Sequence, residues 1–273
     1  MAFLAKALAL VAGAVTFTAV SVATADAASC GKTGAGFEAW KAEFSREAAA
    51  RGIKGKALQA LQETTYATKT INADRNQKSF KLSLDQFMAK RGGKQIAAKG
   101  KVLKRQNAAL FDRIEQRYGV PAGPLIAIWG METGFGSYMG NSNILSAVAT
   151  LAYDCRRSDY FTDQLYAALQ LIQNGSLSPQ SIGAAHGEVG QTQFLPANVL
   201  KYGVDGDGNG RIDLIKSKAD ALASTANFLR GHGWSRGAGY QPGQPNYAAL
   251  QGWNAASVYQ QAIAIIGAEI DAN

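Results

Sequence analysis

The 273-residue sequence has few of the residues on which several common chemistries depend. It contains two histidines, His186 and His232, and their separation does not match the spacing of metal ligands. It has no G-x-S-x-G turn for a nucleophilic serine and no Gly-rich phosphate-binding loop. The sequence therefore gives no support to a histidine-ligated metal enzyme, a nucleophile-elbow hydrolase or a P-loop protein.

Strand signals are also scarce, and neither an internal repeat nor a second independent domain is apparent. Apolar residues instead recur at helical spacing in five segments: 37–48, 103–118, 158–172, 217–229 and 254–271. Ser158 and Ser217 are predicted to cap two of these helices. Residues 64–90 are expected to form a small sheet or extended loops. With 47% hydrophobic and 18% charged residues, the composition fits one globular, mainly α domain with minor β structure.

The N-terminus carries a continuous apolar run that follows a basic residue. Lys6 is followed by apolar residues to about position 22, and residues 25–27 form an A-x-A cleavage pattern. These features predict a secretory signal peptide at residues 1–27, a tail at 28–36 and a catalytic domain at 37–270. The run is short for a membrane span of ~20 residues, and no later segment is apolar enough to cross a bilayer. We therefore expect a periplasmic or secreted protein.

Two cysteines, Cys30 and Cys155, follow the predicted cleavage site near Ala27. In an oxidising compartment an even pair favours a disulfide that ties the N-terminal tail to the middle of the domain. The alternative is that Cys30 is the lipid-bearing first residue of a lipoprotein. The sequence before Cys30 lacks the Leu-like residue expected three positions earlier, so the disulfide is favoured.

The formal net charge is +8, and it does not change when residues 1–27 are removed, because Lys6 and Asp26 cancel. A basic surface on an exported protein suits an anionic polymer such as cell wall or an anionic lipid. Nucleic acid is not expected as a partner, because the lysines are not interleaved with aromatic residues in a known binding motif.

Residues 119–136 contain a nearly all-apolar predicted helix, and one acidic residue, Glu132, lies at its end. Pro121 and Pro124 suit the start of a helix, and Gly134 suits its end. Apolar neighbours and the negative end of the helix dipole both disfavour an ionised carboxylate, so we expect a raised pKa for Glu132. A carboxyl that stays protonated near neutral pH is a general acid. The alternative is an exposed Glu in a helix cap.

Residues 187–196 combine an irregular backbone with hydrogen-bonding side chains. Gln191, Thr192 and Gln193 lie at a Gly-containing bend before Phe194. Amide and hydroxyl groups at a bend suit a sugar-binding cleft, but a plain polar turn before a helix is an alternative interpretation.

A second such segment lies near the C-terminus. The rings of Trp253 and Tyr259 are candidates for stacking on a sugar, and Asn254 offers an amide. The alternative is an N-cap Asn beside two core aromatic residues.

Residues 205–213 match the first part of an EF-hand calcium loop, with Gly210 at the sharp turn and Asp213 at position nine. Position twelve should be a bidentate Glu, but it is Lys216, so Asp220 is the expected substitute. The predicted ligands are Asp205, Asp207, Asn209, the carbonyl of Arg211 and Asp220. A bound cation is favoured over an empty Asp/Gly turn.

Taken together and in this order, these segments resemble the lytic murein transglycosylase B family. Residues 132–136 resemble the family's catalytic Glu followed by a small hydroxyl residue and a Gly-containing turn. Residues 190–196 resemble its Gly, Gln, Phe and Pro signature, and the Asp205 loop resembles its EF-hand-like calcium site. Other similar blocks are residues 143–161, 226–234 and 253–254. The resemblance covers roughly residues 37–270.

The resemblance implies a goose-lysozyme-like, two-lobed domain with a cleft between the lobes. It also implies cleavage of the MurNAc–GlcNAc β-1,4 bond in peptidoglycan strands with formation of 1,6-anhydro-MurNAc. Glu132 would act first as acid and then as base, whereas ordinary glycosidases need two carboxylates. The implied sugar-binding residues are Gln193, Arg156, Arg157, Tyr160, Asn254 and Tyr259. The chemistry would need no cofactor, a structural Ca²⁺ is expected, and the chain would be a monomer.

The sequence departs from the family pattern at three positions. Ala184 replaces a frequent Ser, Glu188 stands where a small residue is common, and Phe228 stands where Tyr is common. These departures leave open a non-catalytic peptidoglycan-binding protein on the same fold. A calcium-dependent binding module and a plain hydrolase are further alternatives.

Overall fold

The computed structural model describes residues 28–76 and 82–272. The described part is mainly helical, which confirms the predicted fold class. Its helices are α1 (Phe37–Ala50), α2 (Lys56–Gln62), α3 (Thr68–Arg75), α4 (Leu84–Arg91), α5 (Gly93–Gln106), α6 (Ala108–Tyr118), α7 (Ala122–Thr133), α8 (Ile144–Tyr153), α9 (Ser158–Asn174), α10 (Pro196–Tyr202), α11 (Lys218–Gly231), α12 (Tyr247–Trp253) and α13 (Ser257–Asp271), with a 3₁₀ turn at Gly34–Gly36. An antiparallel pair, β1 (Ser142–Asn143) and β2 (Ile182–Gly183), places Ser142 opposite Gly183.

The helices pack in two groups that share one apolar core. In the first group α8 packs on α9 and is covered by α1, α2 and α3. In the second group α7 packs against α13 and α5, with α4, α6, α11 and α12 around them. Helix α10 contacts both α9 and α11 and so joins the groups. This arrangement provides the two lobes expected from the resemblance.

Helix α7 is the central element of the second group. All its residues except Glu132 are buried, as expected for a helix that is apolar on every side. The helix crosses α13 closely at Gly123, where an added Cβ would lie 2.2 Å from the carbonyl oxygen of Gly267. The Gly123 N–H also donates to Asp271 Oδ1 at 2.9 Å, which places an acidic group at the positive end of α7. These contacts fix the relative position of the two helices.

The described residues between 64 and 90, namely 64–76 and 82–90, are mostly helical, so the prediction of a small sheet or extended loops is wrong for most of them. Helix α4 starts at a capping box in which Ser83 and Gln86 exchange hydrogen bonds. Helix α3 forms because Thr70 and Ile71 are buried where α3 packs against α8. Tertiary packing therefore outweighs the weak local signal.

Three helix boundaries also differ from the sequence-based expectation. The segment 103–118 is two helices, because the Asn107 side chain donates to the Leu103 carbonyl at the end of α5. Ser158 is the first helical residue rather than a cap, and its hydroxyl donates to Ala152 O at 2.5 Å. The last helix starts at Ser257, three residues after Asn254. The Ser217 cap is confirmed, because its hydroxyl accepts from the Asp220 N–H.

The start of the described chain is tied to the end of α8. Cys30 and Cys155 form the disulfide that the sequence favoured. Beside it the Gly31 N–H donates to Tyr153 O at 2.9 Å, and the Cys155 N–H donates to Gly31 O at 3.1 Å. The predicted signal peptide, residues 1–27, lies outside the described residues. Within the described ranges, no helix combines the length and apolar character needed to span a bilayer.

Candidate active site

Glu132 lies on the last turn of α7, directly before a tight left-handed turn. Gly134, Phe135 and Gly136 all have positive φ, and the value of +65° at Phe135 is unusual for a residue with a side chain. The Phe135 N–H donates to Trp129 O at 3.2 Å, and the two rings meet edge to face at 5.5 Å. Such backbone strain persists where surrounding contacts enforce it, often at functional sites. The turn ends the helix at the carboxyl group.

The turn is fixed to residues 187–196 by buried hydrogen bonds. Thr133 Oγ1 donates to Gln191 O at 2.6 Å and accepts from the Gly136 N–H at 2.9 Å. Gln191 Oε1 accepts from Trp129 Nε1 at 3.1 Å. Thus Gln191, which sequence analysis treated as a possible sugar contact, holds the two segments together. Because all these groups are paired, the position of Glu132 relative to this loop is well defined.

The Glu132 carboxyl accepts two hydrogen bonds on one oxygen. Oε1 receives the Tyr259 hydroxyl at 2.7 Å and Trp253 Nε1 at 3.2 Å. Burial raises the pKa of Glu132 above its ordinary value, although these donors and the charge of Arg91 oppose the shift, and Glu188 adds to it. The net direction agrees with the sequence-based expectation. The geometry thus offers a carboxylic acid that keeps its proton at higher pH than an exposed Glu.

An open cavity of about 370 Å³ leads to this carboxyl. It is lined by Glu132, Tyr160, Glu188, Gln193, Phe194, Leu195, Asn198, Phe228, Gly252, Trp253 and Asn254. Aromatic rings and amide groups therefore lie around two acidic residues, Glu132 and Glu188, and such a lining suits a hydroxyl-rich chain. Five candidate residues predicted from the sequence, Glu132, Tyr160, Gln193, Trp253 and Asn254, meet here.

The other three predicted sugar-binding residues do not line this cavity. The Tyr259 ring is buried at 2% exposure against Phe87, so only its hydroxyl reaches the site. Arg156 and Arg157 are absent from the cavity lining, because both guanidinium groups pair with the buried Asp74. The expectation that these three side chains line the cleft therefore differs from their placement.

Three polar residues at or near the cavity, Asp74, His186 and Glu188, were not predicted from the sequence to lie together. Asp74 pairs with the two arginines, His186 Nε2 lies 3.8 Å from Asp74 Oδ1, and His186 Nδ1 lies 3.2 Å from Glu188 Oε1. Asp74 belongs to no motif, so no local signal marks it. Glu188 was visible only as a departure from the family pattern.

The Asp205 loop lies apart from this cavity and has the shape of a cation site. Carboxylate oxygens of Asp205, Asp207 and Asp220 come within 4.8 Å of one another. Hydrogen bonds from the backbone N–H groups of residues 208–210 lower the pKa of Asp205. Lys216, at the position of the missing Glu, is exposed. The donor set fits a hard divalent cation such as Ca²⁺.

A family model described as Transglycosylase SLT domain matches residues 36–242. The chain belongs to the transglycosylase SLT domain family. Membrane-bound lytic murein transglycosylase B of Escherichia coli K12 is 36% identical over 156 residues, which cover 54% of this chain and 43% of that protein. The chain thus matches less than half the length of this relative. The family resemblance drawn from the sequence is confirmed.

Solved structures of this family superpose on most of the chain. SltB3 from Pseudomonas aeruginosa, in complex with NAG-anhNAM-pentapeptide, matches with a TM-score of 0.81 and 28% identity, covering 87% of this chain and 80% of that one. Escherichia coli Slt35 in complex with calcium matches with a TM-score of 0.75 and 23% identity, covering 84% of this chain and 92% of that one. The lysozyme-like fold expected from the resemblance is confirmed.

Proposed function

We propose that this protein is an exported lytic transglycosylase that cleaves the MurNAc–GlcNAc β-1,4 bond of peptidoglycan. The observation that carries the proposal is the Glu132 carboxyl, which ends a buried helix, opens into a cavity and has a raised pKa. Family membership and the match to SltB3, solved with a peptidoglycan fragment, support the same substrate class.

In the proposed reaction Glu132 works first as acid and then as base. It gives its proton to the glycosidic oxygen as the bond from that oxygen to MurNAc C1 breaks. The C6 hydroxyl of the same MurNAc then attacks C1, and its proton returns to Glu132. The 1,6-anhydro ring forms without water, and the carboxyl ends the cycle protonated. Tyr259 and Trp253 stabilise the carboxylate that exists between the two transfers, because both donate to Oε1.

The proposed sugar contacts are the polar and aromatic groups of the cavity. Tyr160 is 51% exposed and offers a ring face, while Gln193 and Asn254 offer amides. In this proposal Arg156 and Arg157 do not contact the sugar directly, because both guanidinium groups pair with the buried Asp74.

We also propose that the Asp205 loop binds a structural Ca²⁺. Asp205, Asp207 and Asp220 would supply carboxylate oxygens, with Asn209 and the Arg211 carbonyl completing the set. The ion would stabilise the loop and take no part in proton transfer, because none of these residues lines the Glu132 cavity.

The proposed location is the periplasm or the medium, after cleavage near Ala27. A disulfide between Cys30 and Cys155 supports this, because such bonds persist in oxidising compartments. The proposed unit is residues 37–270 acting as a monomer on glycan strands.

The test is digestion of purified peptidoglycan, with the new ends identified by mass spectrometry. Anhydro-MurNAc ends are expected. Reducing MurNAc ends would instead make the protein a hydrolase, which needs an activated water. Binding without soluble products would favour the non-catalytic alternative, and activity that depended on calcium rather than Glu132 would favour the calcium module.

A further inference from the structure

A second carboxylate, Glu188, lines the same cavity as Glu132. Its Oε2 accepts the His186 backbone N–H at 2.9 Å, and its Oε1 lies 3.2 Å from His186 Nδ1. The side chain keeps 24% of its surface exposed. The carboxylate therefore has a fixed orientation and still faces the space that a substrate would occupy.

The two arginines behind Glu188 are bound away from the cavity lining. The guanidinium groups of Arg156 and Arg157 bind the buried Asp74, which lies on the far side of His186 from Glu188. Arg157 also packs over the Phe161 ring at 4.8 Å. Among the described residues that line the cavity, two are acidic and none is Lys or Arg. The chain as a whole has a net charge of +8, so the acidic lining of this cavity is opposite in sign to the net charge of the protein.

The surroundings shift the pKa values of the two carboxyl groups of the cavity in opposite directions. Burial alone would raise the pKa of Glu188, but the hydrogen bond and charge of His186, with backbone N–H groups, outweigh it and lower the pKa. Burial raises the pKa of Glu132. Environments that separate two carboxyls in this way assign the proton to one and the negative charge to the other. Glu188 is thus the fixed anion of the cavity.

We propose that Glu188 is a specificity-determining residue that disfavours a free carboxylate on the reacting sugar. The inference rests on the proposed function. In that reaction MurNAc C1 must lie at Glu132, so the lactyl group on C3 of the same ring enters the same cavity. In a bare glycan strand the lactyl group ends in a carboxylate, and in a peptide-bearing strand it ends in a neutral amide. A fixed anion in a lining that holds no Lys or Arg repels the first and tolerates the second.

The experiment compares two substrates that differ at the lactyl group, which is a neutral amide carrying a stem peptide in one and a free carboxylate in the other. They are peptidoglycan strands with stem peptides and the same strands after an amidase has removed the peptides. We expect the wild-type chain to favour peptide-bearing strands about tenfold in kcat/KM, equivalent to ~1.4 kcal/mol. Glu188→Gln is expected to bring this ratio close to unity by raising cleavage of bare strands. Asp112→Asn removes the same charge at an exposed position on α6 and should leave the ratio unchanged.

Glu188→Ala provides a second neutral variant, in case the amide disturbs the loop. An unchanged ratio in both Glu188 variants would overturn the inference. So would a loss of cleavage of peptide-bearing strands without a gain on bare ones, because Glu188 would then attract a cationic group of the peptide.

A binding measurement separates this inference from the proposed function. Both types of strand are titrated onto Glu132→Gln, with and without Glu188→Gln. If wild type yields no anhydro ends but the charge-dependent difference in binding persists, only the lyase proposal fails. If anhydro ends form and the two strands bind equally well, only this inference fails.

Discussion

Replacing Glu132 by Gln tests the chemistry and the electrostatics of the site at the same time. The amide has nearly the same shape, and its oxygen still accepts from Tyr259 and Trp253. The variant cannot give or take a proton. General acid–base catalysis contributes ~10²–10⁴-fold per step, or about 3–5 kcal/mol of barrier. Because Glu132 would serve in both steps, we expect cleavage of peptidoglycan to fall by at least ~10³-fold.

The same substitution should stabilise the fold above acidic pH. The pKa of Glu132 is raised by burial in the folded state, so between the ordinary and the raised value the unfolded chain has lost a proton that the folded chain keeps. Wild-type stability then falls with pH by up to ~1.4 kcal/mol per pH unit, whereas the amide has no such term. We expect the free energy of unfolding of Glu132→Gln to exceed that of wild type by an amount that grows across this pH window.

Two assays decide the outcome. Soluble products are quantified by mass spectrometry, and unfolding in denaturant is followed at several pH values from ~4 to ~8. Glu115→Gln, at an exposed position on α6, is the matched control and should change neither result. Cleavage above ~1% of wild type would refute the role of Glu132 as acid, because that loss is smaller than one proton-transfer step provides. A stability difference independent of pH would refute the raised pKa.

Three other perturbations test the surrounding structure. Tyr259→Phe removes the 2.7 Å hydrogen bond to Glu132, so kcat should fall about tenfold and the alkaline limb of the pH–rate profile should move to higher pH; an unchanged profile would contradict the assigned contact. Calcium should raise the thermal midpoint of wild type by mass action but not that of Asp205→Ala, and equal midpoints with calcium or chelator would speak against a bound ion. Reduction of the Cys30–Cys155 disulfide should lower the free energy of unfolding by ~2–5 kcal/mol in denaturant titrations, and the paired Ser variant should not respond to reductant.

Local patterns predicted the features that depend on neighbours in the sequence. The apolar run before Glu132 identified a buried helix, and Gly134 identified its end, because caps and side-chain burial act within one or two turns. The same locality explains the Ser217 cap. Patterns failed where packing decided the outcome, as at residues 68–75, whose helix depends on contact with α8.

By itself, the sequence determined that the chain is mainly helical and resembles this family. It also determined that an acid lies at the end of an apolar helix, and which two cysteines are available for a disulfide. Only the tertiary structure decided what surrounds that acid. The Tyr259 hydroxyl reaches Glu132 across 127 residues of chain, and Asp74 draws Arg156 and Arg157 away from the cavity across 82 and 83 residues. Such contacts depend on how helices dock, through close crossings such as Gly123 on Gly267, and no local pattern specifies them.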